Sequence, residues 1–215
     1  MILKWICCEV ADDMRRAFSD AQEAWSGIVS VQGFVAQVGG WDTRNTGRAC
    51  ILGLWKDLSS YQVFMREHHD GVVGPSRQSE TYISCTTRIL EPEFPLPGSS
   101  DDFVDALETA SILRAARCVV RPEREGHFVN VQRDHWAPGM CDAGVLGGLF
   151  LKHDDGGSEY LVVTAWGSPE SHDTYLREIF PSLRAASGVE EDVRSLDGSV
   201  IGMERRWRVI GGDGE

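Results

Sequence analysis

Hydrophobic and polar positions change period along this chain in a fixed order. Positions 2–10 are a run of short apolar and β-branched residues suited to a strand, and positions 12–29 then carry Met14, Phe18, Ala21, Trp25 and Ile28 at helical spacing. Positions 33–41 and 48–55 predict a hairpin whose turn, at 42–47, holds the Asp, Asn and Gly residues that accept turn conformations. Asp57 or Ser59 is suited to cap a second helix with Tyr61, Phe64, Met65 and His68 on one side, and positions 80–90 close the series as a fourth strand. The second half runs the same course: strand 113–121, helix 125–136, strands 144–152 and 159–166, helix 169–186 and strand 200–210. Its hairpin is expected to turn at Asp154, Asp155, Gly156 and Gly157, which lack the remaining ligands of a calcium loop.

The two courses are copies. Trp25, Gly33, Trp55 and Ser60 recur 111 positions later as Trp136, Gly144, Trp166 and Ser171. Upstream, Ile2, Leu3, Cys8, Val10, Phe18 and Gln22 recur at an offset of 110 as Ile112, Leu113, Cys118, Val120, Phe128 and Gln132, so the first helix of the second copy holds one inserted residue. A period this long indicates a duplicated domain of about 100 residues. The expected domains are 1–90 and 112–215. Between them, 91–111 reads as a linker, with Pro92, Pro95, Pro97 and Gly98 breaking regular structure over 91–100 and a short helix at 101–110. Each βαββαβ copy is a ferredoxin-like unit with both helices on one face of an antiparallel sheet. The bare face needs a cover, and the simplest cover is the other copy, sheet to sheet, in an internal pseudo-dimer that closes into a barrel.

Composition narrows the partners. At 215 residues and 42% hydrophobic, the chain can bury a core without metals or disulfides. A net charge of −12 repels nucleic acid and anionic membranes, which leaves small molecules or proteins as partners. The six cysteines show no paired zinc spacing and read as small buried hydrophobes. With no signal-type or membrane-spanning apolar run, the expected location is the cytoplasm.

The pattern of Trp25, Gly33, Phe34, Leu54, Trp55, Lys56, Ser60, Tyr61 and Phe64 resembles the dimeric α/β barrel superfamily, which includes antibiotic-biosynthesis monooxygenases and haem-degrading monooxygenases. The run 3–22, the Gly39, Gly40, Trp41 cluster and the His69, Asp70 pair resemble more narrowly the YdbC-like proteins, which lack a known activity, and the first half carries that likeness best. The resemblance implies an α+β fold of two tandem ferredoxin-like repeats forming an intramolecular dimeric α/β barrel. It implies a small-molecule-binding barrel, with a cofactor-independent monooxygenase acting on an aromatic substrate as the named activity. A non-enzymatic ligand-binding or stress-related interaction module is the alternative, and a haem-degrading monooxygenase a further one. No cofactor is expected: counted from Trp55, the haem degraders' tryptophan and histidine positions fall on Phe64 and Gly74, and in the second half on Tyr175 and Ala185. The barrel is expected as a monomer, with further homo-dimerisation left open.

His69 beside Asp70, at the end of the second helix, is the acid–base candidate, since a histidine titrates near neutrality and a carboxylate can orient it. The simpler alternative is a histidine capping helix carbonyls. Strand alternation assigns Ile6, Cys8 and Val10 to the helices and Trp5, Cys7 and Glu9 to the barrel interior; by the same logic Gln37 and Trp41 face inward. Trp5, Glu9, Gln37 and Trp41 are therefore the ligand-binding candidates, with Arg117, the second-half counterpart of Cys7, as an anion contact. The alternative is a core that the tryptophans fill. Trp5 and Glu9 have Ala115 and Val119 as counterparts, which suggests that one half keeps a site. Gln22 and Gln132 repeat and read as structural residues bonding a buried backbone group. No phosphate loop, nucleophile elbow or metal-ligand motif occurs.

Overall fold

A computed structural model describes residues 1–153 and 156–211. Contacts divide them into two units: residues 1–90 with 201–211, and residues 91–200.

In the first unit β1 (Ile2–Glu9) is central, α1 (Arg15–Glu23) follows and runs on as a tight turn to Ile28, and β2 (Phe34–Asp42) and β3 (Arg48–Trp55) form the hairpin. Next come α2 (Leu58–Glu67), α3 (His69–Ser76) and β4 (Ser84–Leu96). The antiparallel order β4-β1-β3-β2 is ferredoxin-like. Asp57 caps α2, its carboxylate accepting from the Ser60 N–H at 2.7 Å. Gly33 sits at φ 81°, as does its copy Gly144, so this repeated glycine answers a left-handed backbone position. One face of the sheet packs on the helices through Ile2, Trp25, Ile28, Phe34, Trp55 and Phe64.

The face assignment of β2 differs from simple alternation. The β2–β3 register slips between Phe34 and Ala36, so Val35 is a bulge that inverts everything after it. Phe34 and Trp55 stack edge-on on the helix side at 5.4 Å, and beyond the bulge Gln37, Gly39 and Trp41 face the helices while Ala36 and Val38 face away. In β1 the alternation holds, with Ile6 and Cys8 toward the helices and Trp5, Cys7 and Glu9 on the opposite face.

The second unit repeats the course. It comprises α4 (Phe103–Thr109), β5 (Ile112–Val120), α5 (Glu125–Val131), α6 (Ala137–Asp142), β6 (Gly147–His153) and β7 (Glu159–Trp166). Then follow α7 (Pro169–Thr174), α8 (Phe180–Ser187), α9 (Val189–Asp192) and β8 (Val193–Met203), and the strand order is β6-β7-β5-β8. Between α5 and α6 lies a π turn, Gln132–Trp136. The offset between the copies changes from 110 to 111 between Gln132 and Trp136, so the inserted residue is this extra-wide turn. Asp192, fully buried, holds Arg124 at 2.8 Å and His127 at 2.7 Å.

Two boundaries depart from the sequence reading. Positions 91–96, expected as the start of a linker, continue β4, and Phe94 and Leu96 pack on the second unit's core; proline's fixed φ is compatible with extended backbone. The last strand begins at Val193 rather than 200, and from Ile201 the chain belongs with the first unit, where Met203 pairs with Gly40 and β9 (Val209–Ile210) pairs with Ala36 and Gln37. Of the expected turn at 154–157, Asp154 and Asp155 lie outside the described residues. Among the described residues no helix is long and apolar enough to cross a membrane.

Candidate functional site

Between the sheet and the helices of the first unit lies a cavity of about 320 Å³. Its floor is a row across three strands: Lys4 on β1, Gly53 on β3 and Gln37 on β2 stand in register. Glycine at the middle position opens the floor, since a Cβ there would meet only Trp55 Nε1 at 3.7 Å and the Lys4 Cβ at 3.9 Å. Trp25, Trp55 and Phe64 supply aromatic wall.

Lys4, Gln37 and His69 are among the polar residues that line this space. Lys4 keeps only 9% of its surface, has its ammonium 5.3 Å from the Tyr61 ring centroid, and meets no carboxylate among the described residues. Burial pulls its pKa below the ordinary lysine value, partly offset by the nearby Cys85 and Cys8. The Gln37 Nε2 is buried with no hydrogen-bond partner among the described residues, a donor that a bound acceptor would satisfy. His69 opens α3, its side chain 23% exposed, with ring centroids 5.9 Å from Trp25 and 6.0 Å from Phe64. Its Nδ1 lies 3.0 Å from Asp70 Oδ1, which leaves Nε2 for proton transfer. The Asp70 carboxylate is itself in solvent.

His69 therefore does not end the second helix, as the sequence suggested. That helix stops at Glu67, His68 leaves helical geometry, and His69 begins a new segment, which is how neighbouring residues come to touch.

The other candidates scatter. Gln37 reaches the cavity from the helix side of the sheet, the side opposite to that expected. Trp41, inverted by the same bulge, instead builds an aromatic cluster with Phe18 (5.7 Å) and Trp207 (5.5 Å), with Arg15 stacked at 3.8 Å. Trp5 is buried on the face away from the helices, and Glu9, at the end of β1, binds Arg48 at 3.1 Å. Arg117 is in the second unit, paired with Glu159 at 2.9 Å. Gln22 bonds a side chain rather than backbone: Trp25 Nε1 donates to Gln78 Oε1 (2.8 Å) and Gln78 Nε2 donates to Gln22 Oε1 (2.6 Å), a chain that fixes one wall.

Lys4 and Gln78 escaped the sequence reading. Lys4 stands among apolar residues on the helix side of β1, and that parity was the available signal. At the positions counted from the haem degraders, Gly74 and Ala185 carry no side-chain donor, and Tyr175 is buried against Trp166 at 4.8 Å.

The second unit holds an equivalent cavity of about 270 Å³, in which Arg114, Ala116, Cys118, Gln132 and Trp136 repeat the positions of Lys4, Ile6, Cys8, Gln22 and Trp25. Phe180 and Val189 stand there at the positions of His69 and Gln78, so this copy lacks the imidazole.

The architecture is that of the ferredoxin-like dimeric α/β barrel proteins, two repeats in one α+β chain. A monooxygenase candidate from Lactobacillus acidophilus NCFM superposes with a TM-score of 0.72 at 12% identity, covering 98% of this chain and 96% of its own. Another, from Fusobacterium nucleatum subsp. nucleatum, gives 0.77 at 10% identity over 98% and 94%. An anthrone oxidase-like protein gives 0.71 at 11% identity over 99% and 94%. At these identities the likeness is one of fold. In sequence, residues 2–90 match a family described as Domain of unknown function (DUF4937). The uncharacterised protein YdbC of Bacillus subtilis (strain 168) is 29% identical over 99 residues, 44% of this chain and 82% of its own. The match to the first repeat agrees with the half that carries the narrower resemblance.

Proposed function

We propose that the first unit's cavity binds a small aromatic molecule bearing an acidic C–H or hydroxyl, and that the protein promotes its reaction with dioxygen without a cofactor. The observation that carries this reading is the pairing, in one aromatic-walled cavity, of a buried lysine that meets no carboxylate among the described residues with a carboxylate-oriented histidine. His69, neutral, takes the substrate proton; the Lys4 ammonium and the Gln37 amide stabilise the anion. The electron-rich anion then reduces dioxygen itself. For an aromatic methylene, one oxygen atom enters as a carbonyl, the other leaves as water with the two hydrogens, and all four electrons come from the substrate. The solved monooxygenase candidates and the anthrone oxidase-like protein of the same fold make this chemistry a natural one to test.

Oxygen uptake with anthrone as the probe tests it. His69→Asn is expected to lower the rate about 10²–10⁴-fold while leaving the melting temperature close to wild type. Uptake equal in both proteins overturns the assignment. Binding without turnover is the second reading, favoured by the second unit's cavity, which repeats several lining positions but has Phe180 in place of the base. It is the outcome if anthrone raises the melting temperature but consumes no oxygen.

A further inference from the structure

Cys8 and Cys85 face each other directly across the β1–β4 ladder, and the Cys8 thiol donates to the Cys85 sulfur at 3.0 Å. Residues opposed in an antiparallel pair have Cα atoms about 4.5–5.5 Å apart, inside the window of about 4.4–6.8 Å that a disulfide spans. Cys85 is exposed, Cys8 is buried, and both line the cavity. The duplication separates fold from function here. Cys8 recurs as Cys118, so a small thiol at that position suits the fold, but no cysteine occurs in β8, the counterpart of β4. Among the described residues Cys118 has only the Ala116 carbonyl, at 3.9 Å, and burial pushes its pKa up to about 12. Nothing in the repeat requires Cys85.

We propose that Cys8 and Cys85 form a redox-active dithiol in which Cys85 attacks a hydroperoxide and Cys8 resolves the product as an intramolecular disulfide. The accessible partner is the attacking one. Its pKa is held below the ordinary thiol value chiefly by the Cys8 hydrogen bond, with help from Lys4, against the opposing effect of burial. Cys8 is shifted upward by the same bond and by burial, so it keeps its proton. In the first step the Cys85 sulfur bonds one peroxide oxygen, the O–O bond breaks, and water or an alcohol leaves with a solvent proton. In the second the Cys8 sulfur attacks the Cys85 sulfenic acid, the S–S bond forms, and hydroxide leaves as water with the Cys8 proton. Two electrons pass from the thiols to the peroxide, and low-molecular-weight thiols return them.

This inference stands on the strand register, not on the aromatic ligand, and its test contains none. The full chain is treated with a few equivalents of hydrogen peroxide, the remaining thiols are alkylated, and tryptic peptides are analysed by mass spectrometry. The expected product links peptide 5–15 to peptide 78–88, with loss of two hydrogens, and is reversed by a monothiol. In the unoxidised protein Cys85 is expected to alkylate about tenfold faster at neutral pH than Cys141, which has no thiol partner among the described residues. Cys8→Ala is expected to leave a sulfenic acid at Cys85 that a dione reagent traps, and Cys85→Ser to abolish the link. The neighbouring pair Cys7 and Cys50, 3.5 Å apart, supplies the competing outcome. A link from peptide 5–15 to peptide 49–56 instead, or alkylation of Cys85 no faster than that of Cys141 with no link, overturns the proposal; both readings use wild-type protein, so a variant that fails to fold does not shield it.

Discussion

Lys4 is where stability and the proposed chemistry pull against each other. A buried ammonium that meets no carboxylate among the described residues costs folding free energy, and an apolar side chain of similar length removes that cost. Lys4→Met is expected to raise stability by about 1 kcal/mol, read as a rise of about 2–4 °C in melting temperature, while weakening binding of anionic aromatics. The pH dependence has a definite sign. The folded-state pKa lies below the model-compound value of 10.5, so between the two the unfolded chain binds more protons and wild-type stability climbs with pH. The advantage of Lys4→Met is therefore greatest at neutral pH and shrinks as pH approaches 10.5, which melting curves of both proteins at several pH values will show. Gly53→Val places a side chain between Lys4 and Gln37 without a backbone clash. It is expected to leave the melting temperature near wild type and to abolish any ligand-induced rise. At this scale part of the cavity lining is legible in the sequence: residue type singles out His69 and its neighbour Asp70, and β1 parity separates Trp5 from Cys8. Simple alternation puts Gln37 and Trp41 on the opposite face, because nothing in the letters around Val35 marks a bulge.

At the scale of elements, the duplication makes irregularities readable. A change of offset between Gln22 and Trp25 locates one extra residue in the second copy, and a π turn stands at that place. The first copy keeps its tryptophan buried without it, so removing the exposed Asp134 is expected to regularise the helix and keep Trp136 inside. Circular dichroism and tryptophan emission close to wild type, with a shift in melting temperature of a few degrees at most, is the expected result. A molten emission spectrum would mean that the wide turn has a separate purpose. Strand ends were less legible. Pro92 and Pro95 signal a break in most contexts, yet here they lie within β4, because the extended backbone they favour is also that of a strand.

At the scale of the whole molecule, the two-copy plan was visible in the sequence and the ownership of segments was not. Repeat boundaries follow the chain, whereas packing does not: residues 201–211 complete the first unit, and Trp207, fully buried, meets Phe18 at 5.6 Å and Trp41 at 5.5 Å. Trp207→Ala is expected to destabilise that unit by about 3–5 kcal/mol. Urea titration followed by tryptophan fluorescence will show it as an earlier transition, and an unchanged midpoint would refute the packing.

The same segment sets a timetable for biosynthesis. Ribosomes add about 5–20 residues per second, so the amino-terminal half emerges several seconds before the residues that seal Phe18 and Trp41 are made. During that interval a nascent polypeptide displays an unfinished aromatic surface, a target for chaperones, and premature termination anywhere before position 201 would leave it permanently open.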